Sequence, residues 1–216
     1  MISLPAIEEL AAASAAFDAD WGVVDEVLYG LCRRHPGHAD RRSLTAKLVL
    51  IDRAYSAGLE RQVDPDQGAQ AITKIADFMV AHGAAVDALM SELIALQEPL
   101  DADAMATIVS LHGRFATLLR ELTRGGMTPR SFAAKYLHFH NPAVPLYDSY
   151  VSTTLVHLVR WDSQATPFFA LPPEGDPDYW DFCVRFLRLY EACHAAGLAV
   201  SVKQLDTYLW AVPGAP

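Results

Sequence analysis

Residues 131–150 read Ser-Phe-Ala-Ala-Lys-Tyr-Leu-His-Phe-His-Asn-Pro-Ala-Val-Pro-Leu-Tyr-Asp-Ser-Tyr, and the rest of the chain is organised around them. Phe132, Tyr136 and Phe139 recur at helical spacing, so the first ten residues predict a short helix with an aromatic stripe. Asn141-Pro142 stops it, because the residue before a proline is pushed out of the helical region. Pro145-Leu146-Tyr147 is then extended, and Asp148 falls where the next helix must open. An aspartate in that position accepts a bond from a first-turn amide and stabilises its helix by about 1 kcal/mol. The same carboxylate, with two prolines stiffening its approach and Tyr147 as an apolar wall, can activate water or stabilise a developing cation. Read from the residues alone, cap and catalyst both remain open.

Outward from this stretch, helical periodicity continues in both directions and no β-hairpin signal interrupts it. Towards the N-terminus the pattern predicts helices over 5–17 and 21–33, then a third over about 41–62. Leu44, Leu48, Ile51, Tyr55 and Leu59 line one side of that third helix, with Val49 and Leu50 outside the stripe. Apolar on most sides, it reads as the central one. Lys47 and Arg61 lie close together on its wheel, either as snorkelling stems or as cations offered to an anion; Arg53 and Glu60 suit a surface ion pair. Two further helices meet near His82-Gly83, and Asp101 caps a long one that ends before the break at 124–129. Towards the C-terminus, residues 162–178 form a Pro/Gly/Asp-rich loop suited to a lid or a variable surface loop. A strongly amphipathic helix follows over 179–196, capped by Gly197, and a final one over 202–211. On the last, Val202, Leu205 and Leu209 face the core while Lys203, Asp206 and Trp210 share the other side. The expected fold is all-α: a compact bundle of nine or ten helices in one domain over 1–216, in two packed lobes with a cleft near 124–151.

Composition narrows the function. Of 216 residues, 52% are hydrophobic and 20% charged, which gives ample core and excludes a disordered chain. No apolar run reaches the length of a membrane span, and the acidic start lacks the basic region of a secretory leader, so a cytoplasmic protein is expected. The net charge of −9 argues against a protein whose main work is holding nucleic acid, though not against a local basic groove. Cys183 and Cys193 stand ten residues apart on one helix. That separation is roughly 15 Å at the helical rise, beyond the ~7 Å limit for a disulfide. They and Cys32 read as buried thiols. No metal-ligand spacing, phosphate-cradling glycine loop or nucleophile elbow is present, and His138 and His140, two apart, point to different sides; neither metal nor cofactor is expected.

The break at 124–129, the helix to His140, the proline-containing loop and Leu146-Tyr147-Asp148-Ser149-Tyr150-Val151 together resemble the helix-hairpin-helix DNA glycosylases. They particularly suggest bacterial proteins with an 8-oxoguanine-DNA-glycosylase-like fold. The resemblance covers roughly 120–155 and implies that Asp148 is the acid that stabilises the sugar oxocarbenium or activates water as the base departs. Two departures stand out. The family's hairpin reads Leu-Pro-Gly-x-Gly where this chain has Leu122-Thr123-Arg124-Gly125-Gly126, and the lyase lysine's offset falls on Arg130, which cannot form a Schiff base. The resemblance thus implies a monofunctional base–sugar hydrolase, with DNA, a nucleoside or a nucleotide as ligand. Asp148 is the expected catalyst, and Arg130, Lys135, Phe139, Tyr147 and Trp210 are the expected substrate contacts. The alternative is a non-enzymatic helical binding protein that keeps such a fold. Oligomeric state is not legible.

Overall fold

A computed structural model describes residues 2–66, 68–160 and 167–212. Ten α-helices account for nearly all of the regular structure among these residues: α1 (Ile7–Arg34), α2 (Arg41–Val49), α3 (Leu59–Val63), α4 (Gly68–Ala81), α5 (Gly83–Ile94), α6 (Ala102–Arg120), α7 (Arg130–His140), α8 (Ser149–Leu158), α9 (Pro177–Ala195) and α10 (Val202–Ala211). The fold is all-α, and the described residues contain no strand beyond one isolated bridge between Ile2 and Val159. No described helix is long and apolar enough to cross a membrane.

The central helix is α7, not the stretch at 41–62. Every residue from Phe132 to Phe139 is buried, which requires neighbours on all sides, and α1, α5, α6 and the turn after α2 supply them. Its sequence conceals this position, because Lys135 and His138 interrupt the apolar run. Each is enclosed with a partner: His138 is 0% exposed. Its Nδ1 donates to Val144 O at 2.7 Å, so Nε2 is the acceptor for Tyr29 OH. Burial lowers this imidazole to about 3, which keeps it neutral in that role.

Two boundaries in the N-terminal half differ from the periodic pattern. The helices expected over 5–17 and 21–33 are one helix, since Asp18-Ala19-Asp20 contains no glycine or proline and simply turns its acids to solvent. The helix expected over 41–62 is interrupted. A π-helical turn, Leu50–Ala54, follows α2, and Asp52 on it accepts the amides of Leu59 (2.6 Å) and Glu60 (3.0 Å), capping α3. The chain between reverses through Ser56 (φ 51°) and Gly58 (φ 79°), both left-handed. Arg53 and Glu60 form the surface pair their spacing suggested, at 3.0 Å.

Elsewhere Asp101 caps α6 as expected, accepting from Ala104 N, while Asp176 and Ser201 cap α9 and α10 by accepting from Tyr179 N and Gln204 N. All three cysteines are buried free thiols. Of the long loop at 162–178, residues 162–166 lie outside the described residues; from 167 it runs to the cap of α9, and Trp180 Nε1 donates to Phe169 O.

Candidate functional site

Asn141 explains how the acid at 148 is delivered. Its Nδ2 donates to Leu93 O (2.7 Å) and Leu96 O (3.0 Å) at the end of α5, while its Oδ1 takes Ala143 N. The chain beyond is held again where His138 bonds Val144 O and where Tyr179 OH donates to Pro145 O at 2.9 Å. Three anchors within five residues leave this extended segment one course, and it ends with Asp148 at the head of α8. One oxygen, Oδ1, accepts Tyr150 N at 3.0 Å, so the capping role is present. The other, Oδ2, accepts from Lys135 Nζ at 3.1 Å. Lys135 is buried on α7 and donates a second bond to Tyr55 O at 2.8 Å. Cap and site are therefore the same residue, divided between its two oxygens.

Asp148, Lys135 and Leu146 line a cavity of about 260 Å³. Phe17 and Trp21 on α1 form one wall, and Ala54, Tyr55 and Ser56 from the turn after α2 form another. Lys203, Asp206 and Trp210, the polar stripe of α10, close it. The volume is near the lower end of small-molecule sites, about 300 Å³, and suits one planar ring system better than a drug-sized ligand. Trp21 and Tyr55 stand with centroids 5.9 Å apart, and Trp210 leans on Tyr150 at 5.5 Å while leaving half its surface to solvent.

The cavity's charges are mostly paired. Lys203 Nζ lies 2.8 Å from Asp25 Oδ2 and 4.2 Å from the centre of the Phe17 ring, and Tyr55 OH donates to Asp25 Oδ1. Burial and the Asp25 carboxylate raise the Tyr55 phenol, which stays protonated as that donor. Asp206 is the exception: it is 4% exposed, and its Oδ1 has no hydrogen-bond partner. Burial pushes its carboxyl up to about 7, against the opposing pull of Lys203 and Lys135.

Of the residues expected to bind substrate, Lys135 and Trp210 join Asp148 in the cavity. Phe139 is one layer behind, packed on Tyr55 at 4.8 Å and Tyr29 at 5.0 Å. Tyr147 turns away towards Phe182 on α9. Arg130 grips the start of α9, bonding Asp176 through Nη2 at 2.9 Å and pairing with Asp178 at 2.7 Å, with Tyr147 beneath it. Two carboxylates already neutralise that guanidinium. The turn between α6 and α7, where a family hairpin would lie, has Gly125 and Gly126 both at φ 67°. Arg120 donates to Gly126 O there, and Arg124 reaches Asp64. The cavity's basic groups are Lys135 and Lys203, not Arg124 or Arg130. Trp21, Tyr55 and Asp206 line the cavity and Asp25 pairs with its Lys203, but the sequence reading does not single them out as site residues. The stripe Lys203, Asp206, Trp210 was its one visible signal, and nothing local connects that stripe to Trp21 and Asp25 at the other end of the chain.

Among the described residues no cluster of three or more potential metal ligands exists. Lys47, also considered as a cation for an anionic ligand or as a snorkelling stem, is neither: it is wholly enclosed and its Nζ meets His140 Nε2 at 3.4 Å. Compared with family models, curated proteins and solved structures, the chain finds no match in any of the three.

Proposed function

We propose that the cavity hydrolyses a base–sugar bond, in damaged DNA or in a nucleoside, with Asp148 as the reacting carboxylate. One observation carries this reading: the Asp148–Lys135 pair stands in the wall of a small aromatic cavity instead of on an open helix end. In such a reaction the C1′–N bond breaks as positive charge builds on the sugar, and a carboxylate beside it stabilises that charge and takes a proton from the attacking water. Water's oxygen ends on C1′, and the departing base leaves with a proton. Lys135 donates at once to Tyr55 O and Asp148 Oδ2, and a Schiff base needs a free amine, so the chemistry is hydrolytic and monofunctional. The resemblance around 120–155 to helix-hairpin-helix glycosylases supports the same class.

A second reading has its own observation. Both oxygens of Asp148 already hold partners, Tyr150 N and Lys135 Nζ, as they would in a cavity that binds a ring without reacting with it. A base-release assay over lesion-bearing oligonucleotides and free nucleosides, run beside Asp148→Asn, separates the two. Release by the wild type that the variant loses is the expected result. Absence of release from every substrate leaves the binding protein, and equal release by the variant takes the chemistry away from Asp148.

A further inference from the structure

Asp206 is the group in the cavity for which the fold itself offers no use. It sits within α10, so it caps nothing, and the salt bridges around it form between other residues: Lys135 with Asp148 and Lys203 with Asp25. A buried polar oxygen without a partner costs on the order of 1–3 kcal/mol, and native proteins keep few of them. The groups that face it electrostatically are Lys203 on its own helix, Lys135 on α7, Asp148 at the head of α8, Asp25 and Tyr29 on α1, and Tyr55. With the two lysines already neutralised by Asp148 and Asp25, the Asp206 carboxyl in the cavity wall has no cation of its own.

Its walls add shape to that demand. Trp21, Tyr55 and Trp210 present flat aromatic surfaces, which favour a planar partner over a branched aliphatic one. We infer that the cavity takes a planar nitrogen heterocycle whose ring-edge N–H donates to the Asp206 carboxyl, which makes Asp206 the residue that selects the ligand. The inference rests on the reading of the cavity as a base site and narrows it. A ring must carry a donor on the edge turned towards α10, and a ring alkylated at every such nitrogen is rejected because it leaves the buried oxygen unpaired. In this arrangement Asp148 and Asp206 divide the work: the first faces the sugar side, the second holds the base.

Binding of free bases tests this apart from any catalysis. Adenine, guanine, hypoxanthine and uracil are titrated into the full chain and followed by quenching of tryptophan fluorescence, to which Trp21 and Trp210 in the cavity contribute. The wild type is expected to bind at least one base, and Asp206→Ala to bind it at least tenfold more weakly. Asp206→Asn, which keeps a carbonyl acceptor of the same size, should fall between them. The best-bound base methylated on its donor nitrogens should bind the wild type no better than the parent base binds Asp206→Ala. Thermal midpoints of the variants show that each is folded. No quenching by any base, or equal binding by wild type and Asp206→Ala, overturns the inference. A protein that binds base through Asp206 yet releases none from any substrate overturns only the hydrolase reading. Release that depends on Asp148 with base binding indifferent to Asp206 overturns only this one.

Discussion

Asp206 and Lys47 are both enclosed, at 4% and 0% exposure, and both occupy helices that pack against α1. Their surroundings differ in kind. Lys47 belongs to a sealed chain of partners: His140 accepts from it, His140 stacks on His38 at 5.6 Å, and His38 bonds Asp87 Oδ1 through Nδ1 and Tyr136 OH through Nε2, each at 2.7 Å. Burial lowers His38 and His140, so both imidazoles are neutral and can relay these bonds. Asp206 lines an opening, and no such chain reaches its Oδ1. A charge enclosed for architecture draws its partners from the protein. Asp206, enclosed in a cavity wall with one oxygen unpaired, draws no such set of partners from the protein.

The largest effect that sharpens this contrast belongs to Asp148, the group proposed to react. Asp148→Asn keeps a competent helix cap and removes the negative charge, so single-turnover base release should drop about 10³-fold with little change in melting temperature. Activity within threefold of wild type would place the chemistry elsewhere. Next, Lys135→Met strips Asp148 of its cation and Tyr55 O of its donor. Breaking a buried pair costs about 3–5 kcal/mol, and with Asp148 22% exposed the low end, about 3, is expected from urea unfolding.

Asp206 and Lys47 should then respond to pH in opposite directions. The Asp206 carboxyl titrates near 7 in the fold against about 3.9 when unfolded, so its contribution to stability falls as pH rises from about 4 to 7. Asp206→Asn abolishes that loss, and its stability relative to wild type should improve by about 2 kcal/mol between pH 5 and pH 8. A constant difference across that range would show that the carboxyl is not held up by burial. Lys47 is the mirror case. Burial lowers it, while the unfolded chain keeps its proton to about 10.4, so wild-type stability rises with pH through that window. Lys47→Met is expected to gain about 1 kcal/mol at pH 7, and the gain should shrink by pH 10. A loss at pH 7 would mean that the bond to His140 outweighs the cost of enclosing the ammonium.

The sequence discloses local events well and distant meetings poorly. Asp101, Asp148 and Gly197 mark helix ends because a cap is a matter of a few neighbouring residues, and all three fall where their chemistry suggests. The interruption of 41–62 is harder to see. It depends on Asp52 turning its carboxylate forward onto the amides of Leu59 and Glu60, a bond that competes with continued helix. The rank of α7 is hidden for a related reason: Lys135 and His138 look like surface residues until Asp148, Tyr29 and Val144 O are brought to them. Arg130, an expected substrate contact, shows the converse. Nothing near it in sequence announces Asp176 and Asp178, 46 and 48 positions later. The same holds for the cavity, of which the stretch at 131–150 supplies only Lys135, Leu146 and Asp148.

The packing of α10 against α1 sets an order of events for the living chain. Phe17, Trp21 and Asp25 leave the ribosome well before Lys203, Asp206 and Trp210, which emerge only after nearly everything between them has been made. Until then Asp25 has no lysine and the cavity has one side missing. A contact between such distant segments closes a long loop and comes late in folding, after the helices around α7 have had time to assemble. A nonsense mutation ahead of Lys203 would yield a chain that lacks Asp206, the residue proposed to select the ligand, however well the remainder folds.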